Sequence, residues 1–221
     1  MVFHVLNRAV GRWRIFKKPA DYLAFEKVLE QVHQRLATRI VSYVLMPNHF
    51  HAVLWPREDG ELSEFMRLLT VTHTQRWHAH YRSAGSGPLY QGRFKSFPIE
   101  KDAHLLWVLR YIERNPLRAN LVEKAEQWQW GSLYKRLQEP ELPWLMKPQA
   151  WPVEPPQNWT DQVNRAQTAA EEQAVVESLR RGRPLGSDHW QAATADWLGL
   201  ESTLRPRGRP RVRPIKDSRP L

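Results

Sequence analysis

From Arg39 to Trp55 the chain reads RIVSYVLMPNHFHAVLW, two apolar runs broken at Met46-Pro47-Asn48. Proline fixes φ and lacks an amide hydrogen, and asparagine tolerates turn conformations, so the break predicts a chain reversal and the runs a β-hairpin. Ahead of it, Val2 to Arg8 alternates into a first strand with apolar groups on both faces. Tyr22, Phe25, Val28, Leu29, Val32 and Leu36 recur at three- and four-residue steps, which predicts an amphipathic helix over Asp21 to Ala37, just past Pro19. After the hairpin, Glu61 to about Arg82 returns Leu62, Phe65, Met66, Leu69, Trp77 and Tyr81 at helical spacing. SAGSGPLYQG (83–92) is a glycine-rich loop, and Arg93 to Glu100 alternates into a further strand. A third helix is expected from about Lys101 to Asn115, with the stripe Leu105, Val108, Leu109 and Ile112, stopped by Pro116.

Beyond Leu137 the pattern changes. Proline occupies six of the 18 positions from Glu139 to Pro156, which predicts a linker or wrapping arm. Trp159 to Arg181 has the spacing of one helix, and Ser187 that of the N-cap of another ending near Gly199. The divisions expected are a catalytic domain over 1–138, a proline-rich and helical extension over 139–204, and a basic tail over 205–221.

The chain of 221 residues carries a formal charge of +10 and no cysteine, which excludes a disulfide scaffold and thiol catalysis. Seven Lys/Arg against one acid lie from Arg205 onward, so +6 of the +10 sits in the tail, and a polyanionic partner is expected. No apolar run approaches the ~20 residues of a membrane span, and a cytoplasmic, nucleoid-associated protein with no membrane partner is expected. Arg-Gly-Arg-Pro occurs at 181–184 and again inside RPRGRPRVRP, and resembles the core of a minor-groove hook; a polycation acting by counterion release is the other reading. His73, His78 and His80 on the second helix are taken as solvated or backbone-facing groups.

On the second arm of the hairpin His49 and His51 leave the same face roughly 7 Å apart, while Phe50 takes the other face. Two imidazoles so placed can grip one metal ion, or can be ordinary strand histidines. Tyr111 and Asn115 stand one turn apart, roughly 6 Å between Cβ atoms, on the border of the third helix's stripe. A phosphodiester is protected by its negative charge, and a cation held by neutral imidazoles and an amide oxygen keeps its full charge to polarise it. An ordinary phenol is mostly protonated at neutral pH, so it needs such a cation or a base to attack. Arg93, Lys95, Arg114 and Arg118 flank this centre as phosphate contacts, Arg205, Arg207, Arg209 and Arg211 extend them into the tail, and Tyr90, Trp128 and Trp130 are candidate stacking platforms for single-stranded DNA.

Four blocks in register, YVLMPNHFH, YQGRFKS, LRYIERNPLRANLV and WQWGSLY, resemble the REP-associated tyrosine transposases of the one-tyrosine, His-hydrophobe-His superfamily, over about Phe3 to Leu137. The resemblance implies an α+β, ferredoxin-like antiparallel sheet with helices on one face. It implies Tyr111 as the nucleophile, His49 and His51 as metal ligands with Mg²⁺ or Mn²⁺, and Asn115 in the place of a third ligand. It also implies a 5′-phosphotyrosine and a substrate of single-stranded DNA hairpins like repetitive extragenic palindromes. Whether the site lies within one chain or is shared in a homodimer stays open. So do two rivals, a hairpin-binding protein without chemistry and a structural metal site.

Overall fold

The computed structural model describes residues 1–205. Its sheet is built from β1 (Val2–Arg8), β2 (Arg39–Met46), β3 (His49–Trp55) and β4 (Lys95–Ile99) in the order β2-β3-β1-β4, with every neighbouring pair antiparallel. With α1 (Pro19–Leu36) between β1 and β2 and α2 (Glu61–Tyr81) between β3 and β4, this is the expected ferredoxin-like α+β unit. Side-chain alternation sorts the hairpin cleanly. Phe50, Ala52 and Leu54 pack beneath α1 and α2 against Phe25, Leu29, Phe65 and Met66, all nearly without solvent contact. Each large side chain so buried contributes about 1.5–3 kcal/mol of hydrophobic stabilisation.

The opposite face, bearing His49, His51 and Val53, is also covered. α3 (Ala103–Glu113) lays Leu105, Val108, Leu109 and Ile112 against Val44, Met46, Val53 and Phe97. Thus α1 and α2 supply the helices expected on one face, and α3 closes the other. Asp102 caps α3 by accepting from the backbone N–H of His104 at 2.9 Å. Pro116 does not stop the helix as the sequence suggests. The chain bends at Arg114 and a further turn, α4 (Asn115–Arg118), follows, because a proline in a first helical turn forfeits only an N–H that lacks an intrahelical partner anyway.

After α5 (Ser132–Gln138) the proline-rich segment follows the β2 edge of the sheet and adds Trp144, Leu145 and Trp151 to the buried core. Leu145 bridges to Ile40 on the β2 edge, with Met146 N–H donating to the Ile40 carbonyl at 2.9 Å. The one helix expected from Trp159 to Arg181 is two, α6 (Trp159–Asn164) and α7 (Ala169–Arg181); Thr168 restarts the chain with a reciprocal cap to Glu171, which helical periodicity alone does not register. Leu185 bridges to Ile99 on the β4 edge, and Ser187 caps α8 (Asp188–Leu198), closed by left-handed Gly199. A last turn, α9, covers Glu201–Leu204. No helix among the described residues is long and apolar enough to cross a membrane.

Glu113, the last residue of α3 and 3% exposed, fastens these parts together. Its Oε1 accepts from Ser42 and Ser132 hydroxyls at 2.9 and 2.8 Å and from Arg136 Nη1 at 2.7 Å, and its Oε2 from the Trp159 indole at 2.8 Å. One carboxylate therefore ties α3 to β2, α5 and α6.

Candidate active site

Strand register assembles the centre row by row. His49 lies opposite Arg8 of β1 and Met46 of β2, while His51 lies opposite Leu6 and Val44, with Lys95 of β4 next to Leu6 in the same row. The rings of His49 and His51 are 5.1 Å apart between centroids, and Tyr111 on α3 sits 6.2 Å from His51. The pair and the tyrosine are thus brought onto one face. No protein group hydrogen-bonds the Tyr111 hydroxyl among the described residues.

Each histidine is oriented through Nδ1. Asn48 Nδ2 donates to the Arg12 carbonyl at 3.0 Å, which fixes its amide and leaves Oδ1 to accept from His49 Nδ1 at 2.6 Å. His49 consequently carries its proton on Nδ1 and presents a lone pair at Nε2. His51 Nδ1 shares a 2.8 Å hydrogen bond with Nε2 of His4, a wholly buried β1 residue whose own Nδ1 has no partner. When His51 donates in that bond, its Nε2 lone pair is free as well. Burial, followed by the Arg8 and Arg118 charges, lowers His49 to about 3; burial with His4, His49, Arg8 and Arg118 puts His51 well below the ordinary histidine range. Both imidazoles are therefore neutral at any physiological pH, the state in which they bind metal.

Arg118 spans the remaining groups. Its guanidinium lies 4.2 Å from the centroid of the Tyr111 ring, and its Nη2 donates to Asn115 Oδ1 at 3.0 Å. Asn115 is 5% exposed and its Nδ2 is buried without a partner. A divalent ion fits this donor set, two Nε2 lone pairs and an amide oxygen with one of its two lone pairs still unused. Glu100, Asp102 and His104 form a separate group with ligand atoms within 4.8 Å of one another, but it lies at the head of α3, where Asp102 serves as cap and Glu100 accepts from Ser187 N–H at 2.6 Å.

The basic residues divide. Arg93 and Lys95 are exposed and line one small cavity of about 200 Å³ with Arg8, whose buried Nε has no partner. Arg114 does not join them: its Nη1 donates to the Val163 and Asn164 carbonyls at 3.4 and 2.5 Å, so its charge closes the end of α6. Arg205 is exposed at the end of the described chain, and Arg207, Arg209 and Arg211 lie outside the described residues. The first Arg-Gly-Arg-Pro is a helix terminus, with Gly182 left-handed after α7 and Arg183 bonded to Gln191; the second lies outside the described residues. The aromatic platforms also change. Tyr90 is buried, Trp128 donates to the Leu45 carbonyl at 2.9 Å, and Trp130 stacks on Tyr22 at 4.7 Å, all three as core contacts. His73 is buried too, bonded to the Tyr90 hydroxyl at 2.7 Å rather than solvated.

A β2-β3-β1-β4 sheet with a neutral histidine pair and a helix-borne tyrosine on one face defines an α+β protein with a histidine–tyrosine centre. Residues 1–115 match the family of IS200-like transposases, and the chain belongs to that family. The matched segment carries the centre from His4 to Asn115. Among solved structures, the chain is similar to a REP-associated tyrosine transposase bound to a REP hairpin, with 17% identity and a TM-score of 0.51 over 66% of this chain and 84% of that one. A transposase-like protein of Deinococcus radiodurans is 15% identical with a TM-score of 0.40, over 51% of this chain and 88% of that one. No curated protein sequence matches significantly.

Proposed function

We propose that this transposase-family chain cleaves and rejoins single-stranded DNA beside hairpin-forming repeats, with Tyr111 as nucleophile. The observation that carries the reading is the placement of a neutral histidine pair, oriented through Nδ1 by Asn48 and His4, on one face with the unbonded Tyr111 hydroxyl. His49, His51 and Asn115 would hold a Mg²⁺ or Mn²⁺, whose charge would polarise the scissile phosphate. Arg8, Arg93, Lys95 and Arg118 hold the flanking phosphates, and the guanidinium of Arg118 lies over the Tyr111 ring, where it orients the phenol towards the phosphate. In the attack, a bond forms between the phenolic oxygen and phosphorus as the bond from phosphorus to the 3′ oxygen breaks. The phenol gives up its proton, the departing 3′ oxygen gains one, and a 5′-phosphotyrosine remains. Reversal by another 3′-hydroxyl rejoins DNA with no added energy source.

Because His51 and Tyr111 of one chain already lie 6.2 Å apart, a site complete within a single subunit is favoured. In this reading residues 1–138 carry the chemistry, 139–204 brace it, and 205–221 add affinity for DNA. The test is an SDS-stable protein–DNA adduct on a hairpin with a single-stranded flank. It is expected with Mg²⁺ or Mn²⁺, and absent with EDTA and in Tyr111→Phe. An undiminished adduct in Tyr111→Phe refutes the assignment.

A further inference from the structure

A cavity lies away from the histidine pair, around the end of β1. It holds about 470 Å³, within the range of small-ligand pockets, between the segment after β1, the end of α2 and the glycine-rich loop at 83–89. Its walls are aromatic and aliphatic, Trp13, Trp77 and Leu89 among them. Arg14 and Lys17 stand in its lining, and no acidic side chain does. Trp13 is 71% exposed, the most open large apolar side chain among the described residues.

Gly11 has φ +59°, and a Cβ there would come within 2.9 Å of the Trp13 indole nitrogen, so the indole packs close over the Gly11 backbone. The loop is also tied to the hairpin turn: Ile15 and Phe16 N–H groups donate to the Pro47 carbonyl at 2.9 and 3.1 Å. The Asn48 amide that accepts from His49 donates to Arg12, next to Trp13. Trp13 and His49 are thus indexed to one side chain, and the chain from Gly87 to Lys95 leads from the cavity to the basic rim at Arg93 and Lys95.

We infer that this cavity receives one unpaired nucleobase of the DNA strand, stacked on Trp13 with its phosphates met by Arg14 and Lys17. An exposed indole beside cations, with no carboxylate, suits a planar base on an anionic backbone and disfavours a cationic ligand. The inference rests on the proposed action on single-stranded DNA, and assigns that reading a residue that selects position along the flank.

The experiment is an abasic scan. Tyr111→Phe protein, without metal so that no cleavage intervenes, is titrated with hairpins whose flank lacks one base at a time. One position is expected to weaken binding about 5- to 150-fold, the fold-change equivalent of base–aromatic stacking. Adding Trp13→Ala should weaken the intact flank and abolish sensitivity at that position alone, and Trp13→Phe should retain much of it. Trp13 is solvent-exposed, so these variants test contact and not folding. An abasic profile identical with and without Trp13 overturns the inference, as does a Trp13→Ala protein that binds every oligonucleotide as its parent does. Adduct formation is measured separately on protein with Tyr111 intact: coupling without an adduct would remove the cleavage reading and keep the pocket, and an adduct without coupling would do the reverse.

Discussion

Acidification from pH 7 to pH 5 should destabilise this protein severely in metal-free buffer. Burial lowers His4, His49 and His73 each to about 3, while an unfolded histidine titrates near 6.5. The folded chain refuses a proton that the unfolded chain accepts, so stability is full above about pH 6.5 and is lost as the pH falls towards about 3. At pH 5 the proton is taken up 1.5 units below the unfolded value, and at 1.36 kcal/mol per unit each histidine costs about 2 kcal/mol. Three together reach about 6 kcal/mol; with His49 discounted for its partial exposure, and Glu26 offsetting part because burial raises its carboxyl, about 4 kcal/mol remains. His51 adds in the same direction. Against the roughly 5–15 kcal/mol of a typical domain this is a large share. Urea unfolding followed by circular dichroism should show the midpoint falling by about 2 M at unchanged slope. His49→Ala should shrink the fall, and saturating Mn²⁺ should oppose it by binding the neutral imidazoles. Midpoints at pH 7 and pH 5 that agree within about 0.5 M would show that these histidines are solvated and that the buried-pair geometry is wrong.

Glu113→Ala should cost about 3–5 kcal/mol in urea unfolding, because it strands Arg136 beside the sheet; adding Arg136→Met should recover part of the loss, and strictly additive effects would argue against a shared network. His4→Ala should raise the Mn²⁺ concentration that half-saturates adduct formation by about 10- to 100-fold, with partial rescue by His4→Gln, whose amide oxygen can still accept from His51; an unmoved Mn²⁺ midpoint would leave His4 a packing residue. Ending the chain after Leu204 deletes seven basic residues and should lower the salt slope of single-strand binding by roughly 0.7 for each phosphate that the tail neutralises, while adducts at saturating DNA persist; identical slopes would show that the tail does not touch DNA.

The hairpin, the histidine face and the tyrosine helix were legible because each depends on spacing within about twenty residues. His51 and Phe50 part company by alternation alone, and Tyr111 follows the stripe of its own helix. What stayed hidden depends on partners distant in sequence. His4 alternates unremarkably in β1, and its meaning comes from a ring 47 residues away. Arg8 gains its place only from register opposite His49. Trp128, Trp130 and Tyr90 look like free aromatics until Leu45, Tyr22 and His73 are packed on them, whereas Trp13, inside an apparently basic turn, is left open. Arg114 is indistinguishable from Arg118 by composition, and the bend between α3 and α4 sends them to different tasks.

The two edges of the sheet carry a further meaning. Exposed strand edges are templates on which chains join one another, and proteins protect them. Here one continuous segment guards both, Leu145 at Ile40 on β2 and Leu185 at Ile99 on β4, so the extension acts as a sheath drawn from one flank of the sheet to the other. A second molecule seeking to extend the sheet at these positions must first unseat that sheath. Self-association by strand pairing is thereby linked to detachment of a segment that Glu113 and Trp159 fasten to the helix bearing the nucleophile, and a molecule that opened its edges would loosen its own chemistry in the same movement.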